Sequence, residues 1–165
     1  MKRKAIILSI SILTMLVLNM KLQPVLTFAA GEDVKIPDKA IRLRILANSN
    51  SNRDQVTKRK VRDAVNSEVA TWVRDLDSIK QARRAIRSHL PAIRATVAET
   101  LKSRSDHHSF HVKFGDVQFP TKIYGKYVYP AGVYEALLIT IGSGKGANWW
   151  CVLFPPLCFL DFENG

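Results

Sequence analysis

Three histidines, His107, His108 and His111, crowd beside Asp106 in a polar stretch. Imidazoles at such spacing can bind a divalent metal, but a metal centre needs three or four converging ligands with carboxylate or thiolate help. One neighbouring aspartate does not supply that, so they read as solvated loop side chains, and no metal or cofactor is expected. Gly142-Ser143-Gly144-Lys145-Gly146 invites comparison with a phosphate-binding loop. That motif needs a Gly five places before its Gly-Lys pair and a Ser or Thr after it, where this chain has Ile139 and Gly146. A hairpin connection is the better reading. Glu135 sits in an apolar run, where burial could raise its pKa into the range of a general acid, yet Lys122 and Lys126 on the neighbouring segment offer it partners across a hairpin. There is no Gly-x-Ser-x-Gly elbow, no His-Glu-x-x-His, and no Cys with a nearby His. No catalytic residue is assigned, and the chain is not expected to be an enzyme.

Two further constellations point to binding. Lys80, Arg83, Arg87 and Arg94 fall within about 60° of one another on a helical wheel, flanking an apolar face. Such a stripe suits an anionic polymer or an anionic lipid surface, or it is only a solvated helix face. The second is Gly146 to Leu160, a segment without charge that holds Trp149-Trp150 and Pro155-Pro156. The prolines forbid a regular strand or helix through its middle. Either it folds back to cap the core, or it leaves an apolar surface rich in the aromatic anchors of protein interfaces. Trp149, Trp150, Phe154, Pro155, Pro156 and Leu157 are the candidate partner contacts. Cys151 and Cys158 bracket the Pro-Pro turn and are a possible disulfide that would fix its shape.

The elements that must position these residues follow from periodicity. Ile41, Leu43 and Ile45 alternate with Arg42 and Arg44, the pattern of a strand with one buried face and one wet one. Asn52 with Gln55 has the form of a capping box, and Ser51 is an alternative cap; a helix starts within two residues of Asn52. Val61, Val65, Val69, Trp72 and Leu76 share its inner face. Ser78 with Gln81 restarts the pattern, and Ile79, Ala82, Ile86, Leu90, Ile93, Val97 and Leu101 keep one phase, so Pro91 predicts a kink in a single second helix. His89 falls on its surface. From Ser109 the period is two, with a phase shift at Gly115-Asp116 that suggests a bulge or turn. Tyr129-Pro130-Ala131-Gly132 is a reverse turn, and Val133 to Ile141 and Trp149 to Phe154 are apolar strands. The expected fold is α+β, with two long helices packed on an antiparallel β-sheet in one domain.

The chain has 165 residues, 47% of them hydrophobic, with 25 Lys+Arg against 14 Asp+Glu and a net charge of +11. That composition excludes a disordered tail, and two cysteines are too few for a disulfide-built miniprotein. Lys2-Arg3-Lys4 precedes an uncharged run from Ala5 to Leu18, and Ala29-Ala30 offers a cleavage position, so residues 1–30 read as a secretory signal peptide and 31–165 as the mature domain. An uncharged helix of that length covers about 21 Å, short of the roughly 30 Å of a hydrocarbon core. The remaining basic excess lies between residues 53 and 104, which hold 13 Lys+Arg and 6 Asp+Glu. Nucleic acid is not a sensible partner for an exported chain.

Four segments carry a resemblance. Ile36-Pro37-Asp38-Lys39-Ala40-Ile41-Arg42-Leu43-Arg44-Ile45-Leu46-Ala47-Asn48-Ser49, Lys58-Arg59-Lys60-Val61-Arg62-Asp63-Ala64-Val65, Tyr129-Pro130-Ala131-Gly132-Val133-Tyr134-Glu135-Ala136 and Asn148-Trp149-Trp150-Cys151-Val152-Leu153-Phe154-Pro155-Pro156-Leu157-Cys158 closely resemble the stage II sporulation protein R family of endospore-forming bacteria. The resemblance implies a signalling protein that is secreted from the forespore into the space between the forespore and mother-cell membranes. Its implied partner is a membrane-embedded aspartic protease, stage II sporulation protein GA, which processes the precursor of the early mother-cell sigma factor. The family supplies no catalytic residues to carry over. The alternative is a basic exported protein that binds anionic wall polymer or a membrane surface.

Overall fold

The computed structural model describes residues 39–125 and 127–159, so the expected signal peptide lies outside the described residues. Strand β1 (Ile41–Leu46) is followed by helices α1 (Asn52–Val73), α2 (Ile79–Ser88) and α3 (Leu90–Ser103). Strands β2 (Phe110–Phe119), β3 (Lys122–Tyr124), β4 (Tyr127–Tyr129), β5 (Gly132–Ile141) and β6 (Asn148–Phe154) complete the fold with a short 3₁₀ turn, Leu157–Phe159. The α+β class agrees with expectation. No helix among the described residues is long and apolar enough to cross a membrane.

Helix α1 begins where its caps dictate: Ser51 Oγ accepts the Asp54 amide at 3.2 Å, and Gln55 Nε2 donates to the Ser49 carbonyl at 2.8 Å. Val61, Val65, Val69 and Val73 are buried along its inner face. Ser78 caps α2 by accepting the Lys80 amide at 3.2 Å. The expected single kinked helix is two helices, so there are three helices in the described domain. Pro91 has no N–H to donate four residues back, the helix stops at His89, and Pro91 takes up the first turn of α3, where a missing donor costs nothing. Apolar phase survives the break, since Ala82 and Ile86 of α2 and Ile93, Val97 and Leu101 of α3 all enter one core. His89 is half-buried at the junction, with its ring stacked on Trp72 at 4.1 Å between centroids.

The main sheet has four strands in the order β2-β5-β1-β6, and it is mixed, not antiparallel. β1 pairs parallel with β5 (Leu43 opposite Leu137) and antiparallel with β6 (Leu43 opposite Cys151), while β2 and β5 are antiparallel. The physical cause is the Gly142–Gly146 loop. Expected as a hairpin, it instead crosses the end of β1, so the strands it joins are separated by that strand. Gly146 N donates to Ala47 O at 2.9 Å and Lys145 N to Asn48 O at 3.3 Å, and a Cβ at Gly146 would overlap the Ser49 carbonyl.

The helices cover one face of this sheet, with Ile41, Leu43, Ile45, Leu137, Ile139, Cys151 and Leu153 beneath them. β2 is an unbroken ten-residue strand, without the expected bulge. Its buried face changes because Phe110, Val112 and Phe114 lie under the helices, whereas Val117 and Phe119 are covered from the other side. A true register shift does occur in β6, where Leu153 is extra between Val152 and Phe154.

Candidate functional site

Alternation along β1 sends Arg42 and Arg44 to the face opposite the helices. Tyr134, Ala136 and Leu138 of β5, Val117 and Phe119 of β2, and Trp150 and Val152 of β6 share that face by register. It was expected to be wet at both arginines. At Arg44 it is half-buried, but Arg42 is 0% exposed. The cover comes from β3 and β4, a two-stranded ribbon inserted between β2 and β5 that is a sheet separate from the main one. Tyr124 and Tyr129 from this ribbon pack with Ala40, Val152 and Leu157.

The Arg42 guanidinium lies 4.0 Å over the Phe119 ring, 4.7 Å from Tyr134, 5.4 Å from Tyr129 and 6.0 Å from Tyr124. Its Nη2 donates to Tyr124 Oη at 3.2 Å. Nε, Nη1 and the Tyr129 hydroxyl are buried without a hydrogen-bond partner among the described residues. Each favourable cation–π contact contributes about 0.5–2 kcal/mol, whereas an enclosed charge costs several kcal/mol in lost hydration. Burial raises the Tyr124 pKa, and it pushes that of Tyr129 up to about 12, although the nearby Arg42 charge opposes both shifts.

Beside this box the face opens. Arg44 lies 4.5 Å over Trp150 and donates from Nε to Asn148 Oδ1 at 3.0 Å; Trp150 meets Phe119 edge-on at 5.0 Å. The outer face of the ribbon carries Ile123, which is 66% exposed, paired with Val128.

The expected partner contacts do not share one surface. Trp149 lies on the helix side with Arg62 stacked 4.1 Å above it, and Phe154 packs into the same core. Leu157 is buried against the tyrosine ribbon. Trp150, Pro155 and Pro156 are half-buried on the outside. Cys151 and Cys158 are joined in a disulfide, with Cα atoms 5.7 Å apart, which ties the Pro-Pro turn back onto β6.

The basic stripe is largely engaged. Arg83 donates from Nε to both Glu135 oxygens at 2.9 and 2.7 Å, and Arg87 Nη2 reaches Oε1 at 3.2 Å. Glu135 thus pairs with α2, not with Lys122 across the ribbon, because its position in β5 points it under the helices. Arg94 donates to the Val112 carbonyl at 3.3 Å, and Lys80 is exposed.

Among the described residues, His108 alone of the histidines joins a group of possible metal ligands, and it does so with a residue far away in sequence. Asp54, Asp106 and His108 bring their ligand-type atoms within 4.8 Å of one another, and His107 and His111 remain exposed outside the trio. The donor set would suit a divalent metal, yet its oxygens already have work. Asp54 Oδ2 accepts from Asn48 Nδ2 at 2.9 Å and Ser49 Oγ at 2.6 Å, while Asp106 Oδ1 accepts the His108 amide at 3.1 Å and faces His108 Nδ1 at 2.6 Å. Hydrogen bonds from Ser49 and Asn48 hold the Asp54 carboxyl below the usual range; at Asp106 burial pulls upward and the His108 bonds outweigh it. The loop after α3 is tied to α1 by Arg53 Nη2, which donates to the Ser105 carbonyl at 2.8 Å, and by Arg104 Nε, which donates to Thr57 Oγ1 at 3.3 Å.

Comparisons with known proteins bear on the family of the chain. The family described as stage II sporulation protein R has a model that matches residues 37–164. A Bacillus subtilis (strain 168) protein named stage II sporulation protein R is 62% identical over 135 residues, which are 82% of this chain and 60% of that relative. The chain therefore spans less than two thirds of the relative's length. No solved structure matches the chain.

Proposed function

The chain belongs to the stage II sporulation protein R family, and from that premise we propose that it is an exported sporulation signal and not an enzyme. It is made in the forespore, carried across the forespore membrane by residues 1–30, and acts in the space that faces the mother cell. There it docks on the outward side of the membrane-embedded aspartic protease, stage II sporulation protein GA, and favours the state that cleaves the precursor of the early mother-cell sigma factor. A ligand does this only by binding the active state better than the inactive one.

The observation that carries this reading is the family match from residue 37 to residue 164, which takes in every described element. The sheet face bearing Trp150 and Arg44, next to the disulfide-tied Pro-Pro turn, supports docking on a protein. It offers an aromatic ring with a cation stacked on it, a chemistry enriched at interfaces. Adhesion to anionic polymer through the basic stripe has less support, since Arg83 and Arg87 both spend charge on Glu135.

The test is reconstitution in a non-sporulating cell that makes the protease and the sigma-factor precursor, with and without the exported chain. Cleavage only with the exported chain supports the reading. No cleavage, with all three proteins present and the chain confirmed outside, overturns it; salt-sensitive binding to wall polymer would then take its place.

A further inference from the structure

Arg42 is the least compensated group in the described domain. A guanidinium keeps its charge at any working pH, and enclosing it without a counter-charge is costly. The ion pairs of the described residues involve other groups, and no carboxylate meets Arg42 among them. It donates once, through Nη2 to Tyr124 Oη. Nε and Nη1 are both unpartnered, and Nη2 between them has a second N–H besides the one given to Tyr124, so one edge of the fork keeps the two parallel donors that a planar, two-oxygen acceptor takes. The walls are flat rings 4.0 to 6.0 Å from the guanidinium carbon. A planar carboxylate matches such a pair of in-plane donors between rings better than a tetrahedral, doubly charged phosphate does.

The cover over Arg42 is held by side-chain packing and not by the main sheet's ladder. The β3–β4 ribbon forms no ladder with the main sheet, and Pro120 and Pro130 flank it. Its base is closed by the Ala131 amide donating to Thr121 Oγ1 at 3.0 Å, and its tip turns at Gly125 with φ of 56°. A two-stranded ribbon of three-residue strands has little stability of its own. Tyr124, on its inner face, carries the hydrogen bond to Arg42.

We propose that Arg42 is the receptor for a carboxylate borne by a protein partner, and that the β3–β4 ribbon is the flap that admits it. This deepens the docking reading by naming the chemistry of the contact, and it is tested without the protease, so either can fail alone.

The experiment is an NMR titration of the full ¹⁵N-labelled chain, following the Arg42 Nε–H signal with N-acetyl-aspartate amide, N-acetyl-asparagine amide, inorganic phosphate and chloride as probes. The aspartate probe should shift the signal saturably, with the asparagine probe weaker by about tenfold. Tyr124→Phe frees the flap and should tighten binding about three- to fivefold, because opening no longer breaks a hydrogen bond. No shift in either protein, or equal shifts with phosphate or chloride, overturns the carboxylate receptor. A signal that is displaced in the free chain and moves back in D161N/E163Q would assign Arg42 to the chain's own carboxylates and overturn the partner.

Discussion

Trp149 and Trp150 are neighbours in the chain and lie on opposite faces of the sheet, each beneath an arginine: Arg62 at 4.1 Å on the helix side and Arg44 at 4.5 Å on the other. Strand alternation separates the two rings, so their replacement has separable effects. Trp149→Ala removes part of the main core and should lower stability by about 3 kcal/mol. Trp150→Ala should cost about half as much and reduce precursor cleavage in the reconstituted cell more than the loss of folded protein explains. Urea denaturation beside the cleavage assay checks this; equal losses of stability and of signal in the two variants would refute the division.

Glu135 anchors α2 to β5 through Arg83 and Arg87, with only 17% of its side chain exposed. Glu135→Gln should destabilise the fold by about 1 kcal/mol, reflecting a half-exposed pair. The difference should shrink in 1 M salt, where the screening length falls to about 3 Å. A double-mutant cycle with Arg83→Gln measures the coupling, and a value indistinguishable from zero at low salt would show that the clamp contributes nothing.

The Cys151–Cys158 crosslink closes a loop with a sequence separation of 7. Chain entropy assigns such a loop roughly 2.5 kcal/mol of stabilisation. Cys151→Ser with Cys158→Ser, or reductant on the native chain, should lower the melting temperature by several degrees, about what that energy implies for a domain of this size. Unchanged melting in scanning calorimetry would mean that the Pro-Pro turn holds its place without the crosslink.

Tyr129 is 0% exposed and its pKa is pushed up to about 12. A phenol whose folded pKa lies above its unfolded value of about 10 stabilises the fold below pH 10 and gives that up as pH rises toward 12. The loss should approach roughly 2–3 kcal/mol by pH 12. Because its hydroxyl has no hydrogen-bond partner among the described residues, Tyr129→Phe should be near neutral at pH 7 and should lose less stability than the native chain above pH 10. Parallel stability curves for the two proteins from pH 9 to pH 12 would refute the assignment.

What could be read from the sequence was local. The 3.6-residue spacing of Val61, Val65 and Val69 and of Ile93, Val97 and Leu101 located the buried helix faces, and Ser78 marked its helix start because a cap acts within one turn. What escaped depended on partners far along the chain. Arg42 reads as a wet strand residue until Phe119, Tyr124, Tyr129 and Tyr134 close over it, and nothing in the pattern of β1 announces a second cover. Glu135 had lysines nearby in sequence, yet the arginines that reach it are 48 and 52 residues away. The break at His89 is invisible to apolar phase, which records which face is buried and not whether backbone hydrogen bonds run through.

The position of β1 governs the order in which this domain can assemble. Its hydrogen-bonding neighbours, β5 and β6, are the last two strands of the described chain, with Arg42 opposite Ala136 and Ile45 opposite Trp149. Closing such long loops before any sheet forms makes for high contact order and slow folding. Under the export proposed above, β1 would emerge early and wait, unpaired, until nearly everything else has followed. The helices can form early from local contacts whereas the four-stranded sheet cannot, so refolding from denaturant should be slower than the helix content alone would suggest.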